Sequence, residues 1–204
     1  MLIIGVAAGI GIFIAVHEFG ESSTFNGTDR ETINGYDAAN ADITLLAFTV
    51  LEHINNDDFN ALSQVVHPEI GVVLSPCATI NLETDRQFGV EEVATLNTNP
   101  SVYMWGVRNG TGEPIRLTPA EYFEEFVQAH NHLNSPIIGV NEIIRSGNAL
   151  ENITEVFPDI EFVEFHIPGD ELGDGHDWRS LRLGFVDYDG YLRLVSILHS
   201  TWGS

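Results

Sequence analysis

A carboxylate and an imidazole share one side of a strand-like segment near the end of the chain. In the segment from Ile160 to Ile167 (IEFVEFHI), alternation between the two sides of an extended strand places Glu164 and His166 together. Held side by side, they could act as a general acid and base, or they could hydrogen-bond a polar ligand. Either chemistry requires that the pair face a cavity.

Two further strand-like segments, 180–187 and 191–199, supply an arginine and a second histidine. If neighbouring strands align in register, these side chains and the first pair line one pocket, where an arginine and a carboxylate could hold a small polar ligand. The alternative is an exposed cross-strand ion pair that binds nothing. The predicted ligand-binding residues are Glu164, His166, Arg182 and His199.

Other groups with ligand chemistry are weaker candidates. His130 and His132 lack a third metal ligand. The acidic loop from Gly169 to Asp177 (GDELGDGHD) could bind Ca²⁺, but it does not have the EF-hand spacing. Hydrated surface is the simpler interpretation of that loop. We interpret Cys77 as a small buried hydrophobic residue. Phosphate-loop, nucleophile-elbow and zinc-protease motifs are absent from the sequence, so we predict no cofactor, no metal and no catalytic residue.

The charge of the chain indicates the medium to which the protein is adapted and excludes one class of partner. Thirty acidic residues face eight basic ones, all arginine, which gives a formal net charge of −22 over 204 residues. Such a charge excludes nucleic acid as a partner and disfavours the compact state in dilute salt. At about 1 M salt the Debye length is only about 3 Å, so the repulsion is screened. The composition therefore predicts a protein adapted to a salty medium.

The N-terminal segment differs from the rest of the chain. Residues 2–16 (LIIGVAAGIGIFIAV) are apolar or glycine, and neither a basic residue precedes them nor a cleavage site follows them, which favours an uncleaved anchor over a signal peptide. We therefore predict a transmembrane helix in an anchor over residues 1–20, a polar tether over 21–40 and a single domain over 41–204. The alternative is a buried element of the domain. Sequons at Asn26, Asn109 and Asn152 permit glycosylation and favour a domain outside the cytoplasm.

Apolar periodicity predicts helices first and strands last. Ile43, Leu46, Ala47, Val50, Leu51 and Ile54 recur at helical spacing, a second short helix follows Asp58, and Thr118-Pro119-Ala120-Glu121 is a helix start with a capping box. The three strand-like segments come later, the last two joined by the turn Asp187-Tyr188-Asp189-Gly190. This order predicts an α+β fold in which the N-terminal helices pack on a curved antiparallel sheet.

Several motifs, in order, resemble an uncharacterised family of bacterial and archaeal extracytoplasmic, lipoprotein-like proteins. The matching segments are His67-Pro68-Glu69-Ile70-Gly71-Val72 with Ser75-Pro76, Tyr103-Met104-Trp105-Gly106 with Gly112-Glu113-Pro114-Ile115, Gly147-Asn148 with Glu155-Val156-Phe157-Pro158, and Asp177-Trp178-Arg179-Ser180-Leu181-Arg182-Leu183. The resemblance implies an extracytoplasmic location and assigns no activity. The helix-then-meander order also looks like the NTF2-like cone, a fold that serves both enzymes and binding domains.

These observations lead to two functional hypotheses. The first is a membrane-anchored, non-catalytic extracytoplasmic domain that binds a small molecule or a protein partner. The second is a hydrolase or isomerase that uses Glu164 and His166 as an acid and base inside the cone. An enzyme would hold this pair deep in a pocket, whereas a binding module would leave it exposed or paired across the sheet.

Overall fold

The fold is described from a computed structural model, which covers residues 29–108, 111–170 and 175–203, with side chains described from residue 40 onward. The predicted anchor, the sequons at Asn26 and Asn109 and the middle of the acidic loop lie outside the described residues.

Two helices open the described chain, α1 (Asp29–Asn55) and α2 (Phe59–Val65). The predicted apolar face of α1 is confirmed, since Ile43, Ala47, Val50, Leu51 and Ile54 are all buried. Asp58 caps α2 by accepting a 2.9 Å hydrogen bond from the Ala61 amide. The helix α1 begins inside the segment predicted to be a tether, where the alanines before residue 42 favour helix.

The remaining helices are short. They are α3 (Val90–Val93), α4 (Pro119–Tyr122) and α5 (Ile153–Val156), with 3₁₀ turns at Leu96–Thr98 and His132–Asn134. The predicted capping box at the start of α4 is confirmed: the Glu121 amide donates to Thr118 Oγ1, and the Thr118 amide donates to the Glu121 carboxylate. After Tyr122 the helix widens into a π-helical turn over Phe123–Val127.

The described residues contain eight strands in two sheets. The strands are β1 (Val72–Ser75), β2 (Arg86–Phe88), β3 (Tyr103–Val107), β4 (Pro114–Leu117), β5 (Ile137–Val140), β6 (Glu161–Ile167), β7 (Arg179–Tyr188) and β8 (Tyr191–Thr201). The large sheet has the order β2-β1-β8-β7-β6-β5 and is antiparallel except for the β1–β8 pair, and β3 and β4 form a separate hairpin. The predicted α+β class is confirmed.

The predicted hairpin turn between β7 and β8 is also present. Asp189 and Gly190 have φ angles of 55° and 81°, as a type I′ turn requires of its two central residues.

Both faces of the large sheet are covered. Helices α1 to α4 and the β3–β4 hairpin pack on one face, around a core that includes Val163, Phe165, Leu181 and Leu183. On the opposite face, residues of the connection between β5 and β6 (141–160) pack against Phe162, Val195 and Leu198. The central strands are therefore buried on both sides, so polar residues on either face need partners within the protein.

The predicted transmembrane helix has to be corrected. Across residues 29–108, 111–170 and 175–203, no helix is both long and apolar enough to cross a membrane. The apolar run over residues 2–16, on which that prediction rested, lies outside the described residues. Fifteen residues at about 1.5 Å each reach roughly 22 Å, short of the ~30 Å hydrocarbon core.

Candidate functional site

Three of the four predicted site residues belong to one buried ion-pair network. Glu164 on β6 lies directly opposite Arg182 on β7, and the two side chains are 0% and 1% exposed. Arg182 Nε and Nη2 donate to Glu164 Oε2 at 3.1 and 2.7 Å, and Nη1 donates to Glu151 Oε2 at 2.6 Å. One guanidinium thus bridges two carboxylates, and with both of them ionised the three groups carry a net charge of −1.

A serine joins this ion pair to the histidine. Ser180 Oγ donates to Glu164 Oε1 at 2.7 Å and lies 2.9 Å from His166 Nδ1. A carboxylate can only accept, and a hydroxyl has one proton, so Nδ1 of His166 must be the protonated nitrogen that donates to Oγ. Burial lowers the pKa of His166, although Glu164 opposes this effect. We call Glu151, Glu164, His166, Ser180 and Arg182 the polar network.

The connection between β5 and β6 covers the polar network. Glu151 comes from this connection, and its neighbour Asn152 binds the Ile80 backbone twice, accepting from the amide and donating Nδ2 to the carbonyl, both at 2.8 Å. Thr79 Oγ1 adds a 2.7 Å bond to the Leu150 carbonyl. Because both Oδ1 and Nδ2 of Asn152 are bonded to the Ile80 backbone, this side chain holds the connection in place.

The fourth predicted residue, His199, lies on the opposite face of the sheet. It pairs with Leu181 in the helix-side core, whereas Arg182 pairs with Leu198 on the covered face. The sequence prediction assumed unbroken alternation along β8, but the register shifts between Gly184 and Phe185, and Val195 is the extra residue. One extra residue reverses the facing of everything beyond it, so His199 is separated from the polar network.

His199 instead lines a cavity of about 610 Å³ at the end of β8. The walls come from the loop after β1, the β3–β4 hairpin and the π-helical turn. Apolar groups there include Trp105, Ile115 and Phe126, and groups with polar chemistry include Cys77, Asp85, Arg108 and His199.

Titratable groups at this cavity are shifted by burial. Burial raises the pKa of Asp85, although the Asn81 amide, which donates to its Oδ2 at 2.9 Å, and Ser75 oppose the rise. Burial also raises the pKa of the Cys77 thiol. Tyr122, completely buried behind them, has a pKa raised well above its usual value by burial and then by Asp85 and Cys77.

Two buried polar atoms in this region have no hydrogen-bond partner among the described residues: Nδ1 of His199, which lines the cavity, and Oη of Tyr122, which lies behind the wall residue Trp105. The Tyr122 ring is held by Trp105, which stacks on it with ring centroids 4.0 Å apart. His199 contacts Phe126 edge-on at 5.6 Å. Both unpartnered groups are therefore fixed in place by aromatic neighbours.

His130 and His132 lie near His199. Burial lowers the pKa of both His132 and His199 to about 4, and His199 lowers that of His132 further. His130 is less buried and accepts a 3.2 Å hydrogen bond from Arg179 Nε. Within the part of the chain that the structure describes, no group of three His, Cys, Asp or Glu residues could hold a metal ion.

Little in the sequence points to the cavity. His199 was predicted to line a pocket, but with the wrong partners. Asp85 has no signal at all, since it stands in a loop without motif or periodicity.

Comparison with protein-family models finds no match to this chain, and comparison with curated proteins finds none either. The function must therefore be argued from the two sites alone.

Proposed function

We propose that this protein is a non-catalytic binding domain that holds a small organic molecule in the cavity lined by Trp105, Phe126, Asp85 and His199. One observation supports this most directly: Nδ1 of His199, a buried polar atom in the cavity wall, lacks a partner among the described residues, and so does Oη of Tyr122, whose ring stacks on the wall residue Trp105. Buried polar groups are normally hydrogen-bonded, and an orphaned group costs about 1–3 kcal/mol. A ligand can offset that cost.

The size and lining of the cavity agree with this proposal. Small-molecule sites typically enclose about 300–1,000 Å³ and combine mostly apolar walls with a few polar groups. The cavity here, at about 610 Å³, has Trp105, Ile115 and Phe126 beside a few polar side chains.

The acid–base alternative has less support. Both oxygens of Glu164 are engaged, one with Ser180 and the other with Arg182, and His166 is 3% exposed. A general base needs a free lone pair within reach of its substrate. A pair bonded across the sheet is the arrangement expected of a binding module, so we do not propose a hydrolase or isomerase.

Blocking the cavity tests the proposal. Ala149 lines it, so Ala149→Trp should fill part of the space, whereas Ala120→Trp adds the same side chain at an exposed position on α4. In a thermal-shift screen of small organic molecules, hits on the wild-type protein should be lost in Ala149→Trp and kept in Ala120→Trp. Molecules that still stabilise Ala149→Trp would show that they bind outside the cavity. A screen in which no molecule stabilises the wild-type protein would count against small-molecule binding.

We also propose that the fold is an NTF2-like cone and that the protein works in a salty medium outside the cytoplasm. The helical pair ahead of the sheet supports an NTF2-like cone, although the sheet is not strongly curled. The net charge of −22 and the absence of lysine support adaptation to salt, and the family resemblance supports a location outside the cytoplasm. Salt adaptation predicts that circular dichroism shows loss of structure between molar and millimolar KCl. An unchanged spectrum would contradict it.

A further inference from the structure

We propose that the ligand of this cavity is a protonated organic amine with an apolar body, an inference that rests on the proposed function. Three features of the cavity support it: a carboxylate without a cation, polar atoms without a partner, and apolar walls.

The carboxylate is Asp85. It is the one acidic residue among those that line the cavity, and within the described residues it has no salt bridge. Its known partners are neutral donors, the Asn81 amide and Ser75. A half-buried carboxylate held only by neutral donors gains from a cation placed beside it.

The cation already at the cavity is not available to Asp85. Arg108 donates to the Glu125 carboxylate through both terminal nitrogens, one of them at 3.0 Å, so it already forms an ion pair. Asp85 and the net charge of −22 would repel an anionic ligand, whereas both attract a cation.

The unpartnered atoms suit an N–H donor. Asp85 is close enough to Tyr122 to raise the pKa of its hydroxyl, and the unpartnered Oη can accept a hydrogen bond. Nδ1 of His199 also lacks a partner among the described residues, and it can accept a hydrogen bond in the neutral tautomer that carries its proton on Nε2. An ammonium group carries several donors and can therefore satisfy a carboxylate and a neutral acceptor together.

The walls suit the remainder of such a molecule. Trp105, Ile115 and Phe126 provide apolar contact, and an aromatic face also attracts a nearby cation. A flexible amine with a ring at its far end would place the ring against these residues and the nitrogen near Asp85.

Three probes of matched shape test the inference: 4-phenylbutylamine, 4-phenylbutan-1-ol and 4-phenylbutanoate. Dissociation constants are measured by ligand-observed NMR in 2 M KCl, where long-range attraction is screened and contact with Asp85 dominates. The amine should bind at least about tenfold more tightly than the alcohol, as one charge-assisted hydrogen bond would provide, and the carboxylate should bind most weakly.

Two variants with equal charge complete the experiment. Asp85→Asn should weaken amine binding about tenfold and leave the alcohol unchanged, because asparagine can still accept from the Asn81 amide. Asp159→Asn removes the same charge at an exposed position and should change neither. An amine that binds no better than the alcohol, or equally well to Asp85→Asn, overturns the inference while cavity binding stands. If none of the probes binds, the inference fails, and wild-type hits in the library screen decide whether the proposed function fails with it.

Discussion

The polar network and the cavity, on opposite faces of the large sheet, treat buried polar groups in opposite ways. The polar network bonds Glu164 to Ser180 and Arg182, and within the network only Oε1 of Glu151 is a buried atom without a partner among the described residues. At the cavity, Nδ1 of the wall residue His199 has no such partner, and neither has Oη of Tyr122, which is stacked on the wall residue Trp105. A site that is internally satisfied stabilises the fold, whereas a site that leaves polar groups open can bind a ligand. Substitutions can separate these two roles.

The largest expected effect is that of Arg182→Ala. Its removal leaves Glu164, 0% exposed, without a cation, and breaking a buried ion pair in this way costs roughly 3–5 kcal/mol of unfolding free energy. Chemical denaturation in high salt measures the loss, with Arg116→Ala at an exposed position as the control, expected within about 0.5 kcal/mol of wild type. A loss below about 1 kcal/mol for Arg182→Ala would mean that the network is no stronger than a surface pair.

Acid should act on the cavity side through His132 and His199. Their pKa values are lowered to about 4 from 6.5, so they stay neutral in the fold and bind protons more readily when unfolded. Their stabilising effect is therefore complete above pH 6.5 and is lost as the pH falls toward 4. Between pH 7 and pH 5 each ring should lower the unfolding free energy by about 2 kcal/mol.

Because surface carboxylates titrate over an overlapping range, the test compares pH profiles. Unfolding free energies of wild type and of the double variant His132→Gln/His199→Gln are measured from pH 7 to pH 5. The variant should show a flatter profile, whatever its absolute stability. Parallel profiles would show that these rings do not control the acid response.

Removing one hydroxyl from the network should have an intermediate effect. Ser180→Ala leaves Glu164 Oε1 and the protonated Nδ1 of His166 without partners in a buried site, which costs about 1–3 kcal/mol. The loss should be measured by urea denaturation in high salt, with Ser180→Thr as a variant that keeps the hydroxyl. If Ser180→Ala is as stable as wild type, the hydroxyl does not join the two side chains.

Local patterns in the sequence were enough to predict several of these features. The buried face of α1, the capping box at Thr118 and the turn at Asp189 each depend on residues a few positions apart, and all three are confirmed. The Glu164–Arg182 contact could also be anticipated, because alternation holds in β6 and in the first part of β7. Such features are encoded by periodicity and by turn chemistry.

The rest depends on contacts between distant segments. The irregularity at Val195 is not marked by a glycine or proline within β8 itself, yet it moves His199 to the other face. Glu151 enters the network only because Asn152 fixes its segment to Ile80, 72 residues away in sequence. Asp85 becomes a cavity residue only when the β3–β4 hairpin folds over it. No local pattern predicts such juxtapositions.

The smallest expected effect gives the sharpest comparison. Tyr122→Phe, like Ser180→Ala, deletes one hydroxyl oxygen from a completely buried side chain, but the Tyr122 hydroxyl has no partner to lose. The stacking on Trp105 and the core packing of the ring are retained. We therefore expect the unfolding free energy of the apo protein to stay within about 0.5 kcal/mol of wild type, or to rise slightly as an orphaned group is removed. Urea denaturation of both variants side by side measures the contrast. A loss of about 1 kcal/mol or more in Tyr122→Phe would mean that its hydroxyl is already satisfied, and the distinction between a closed network and an open cavity would then be lost.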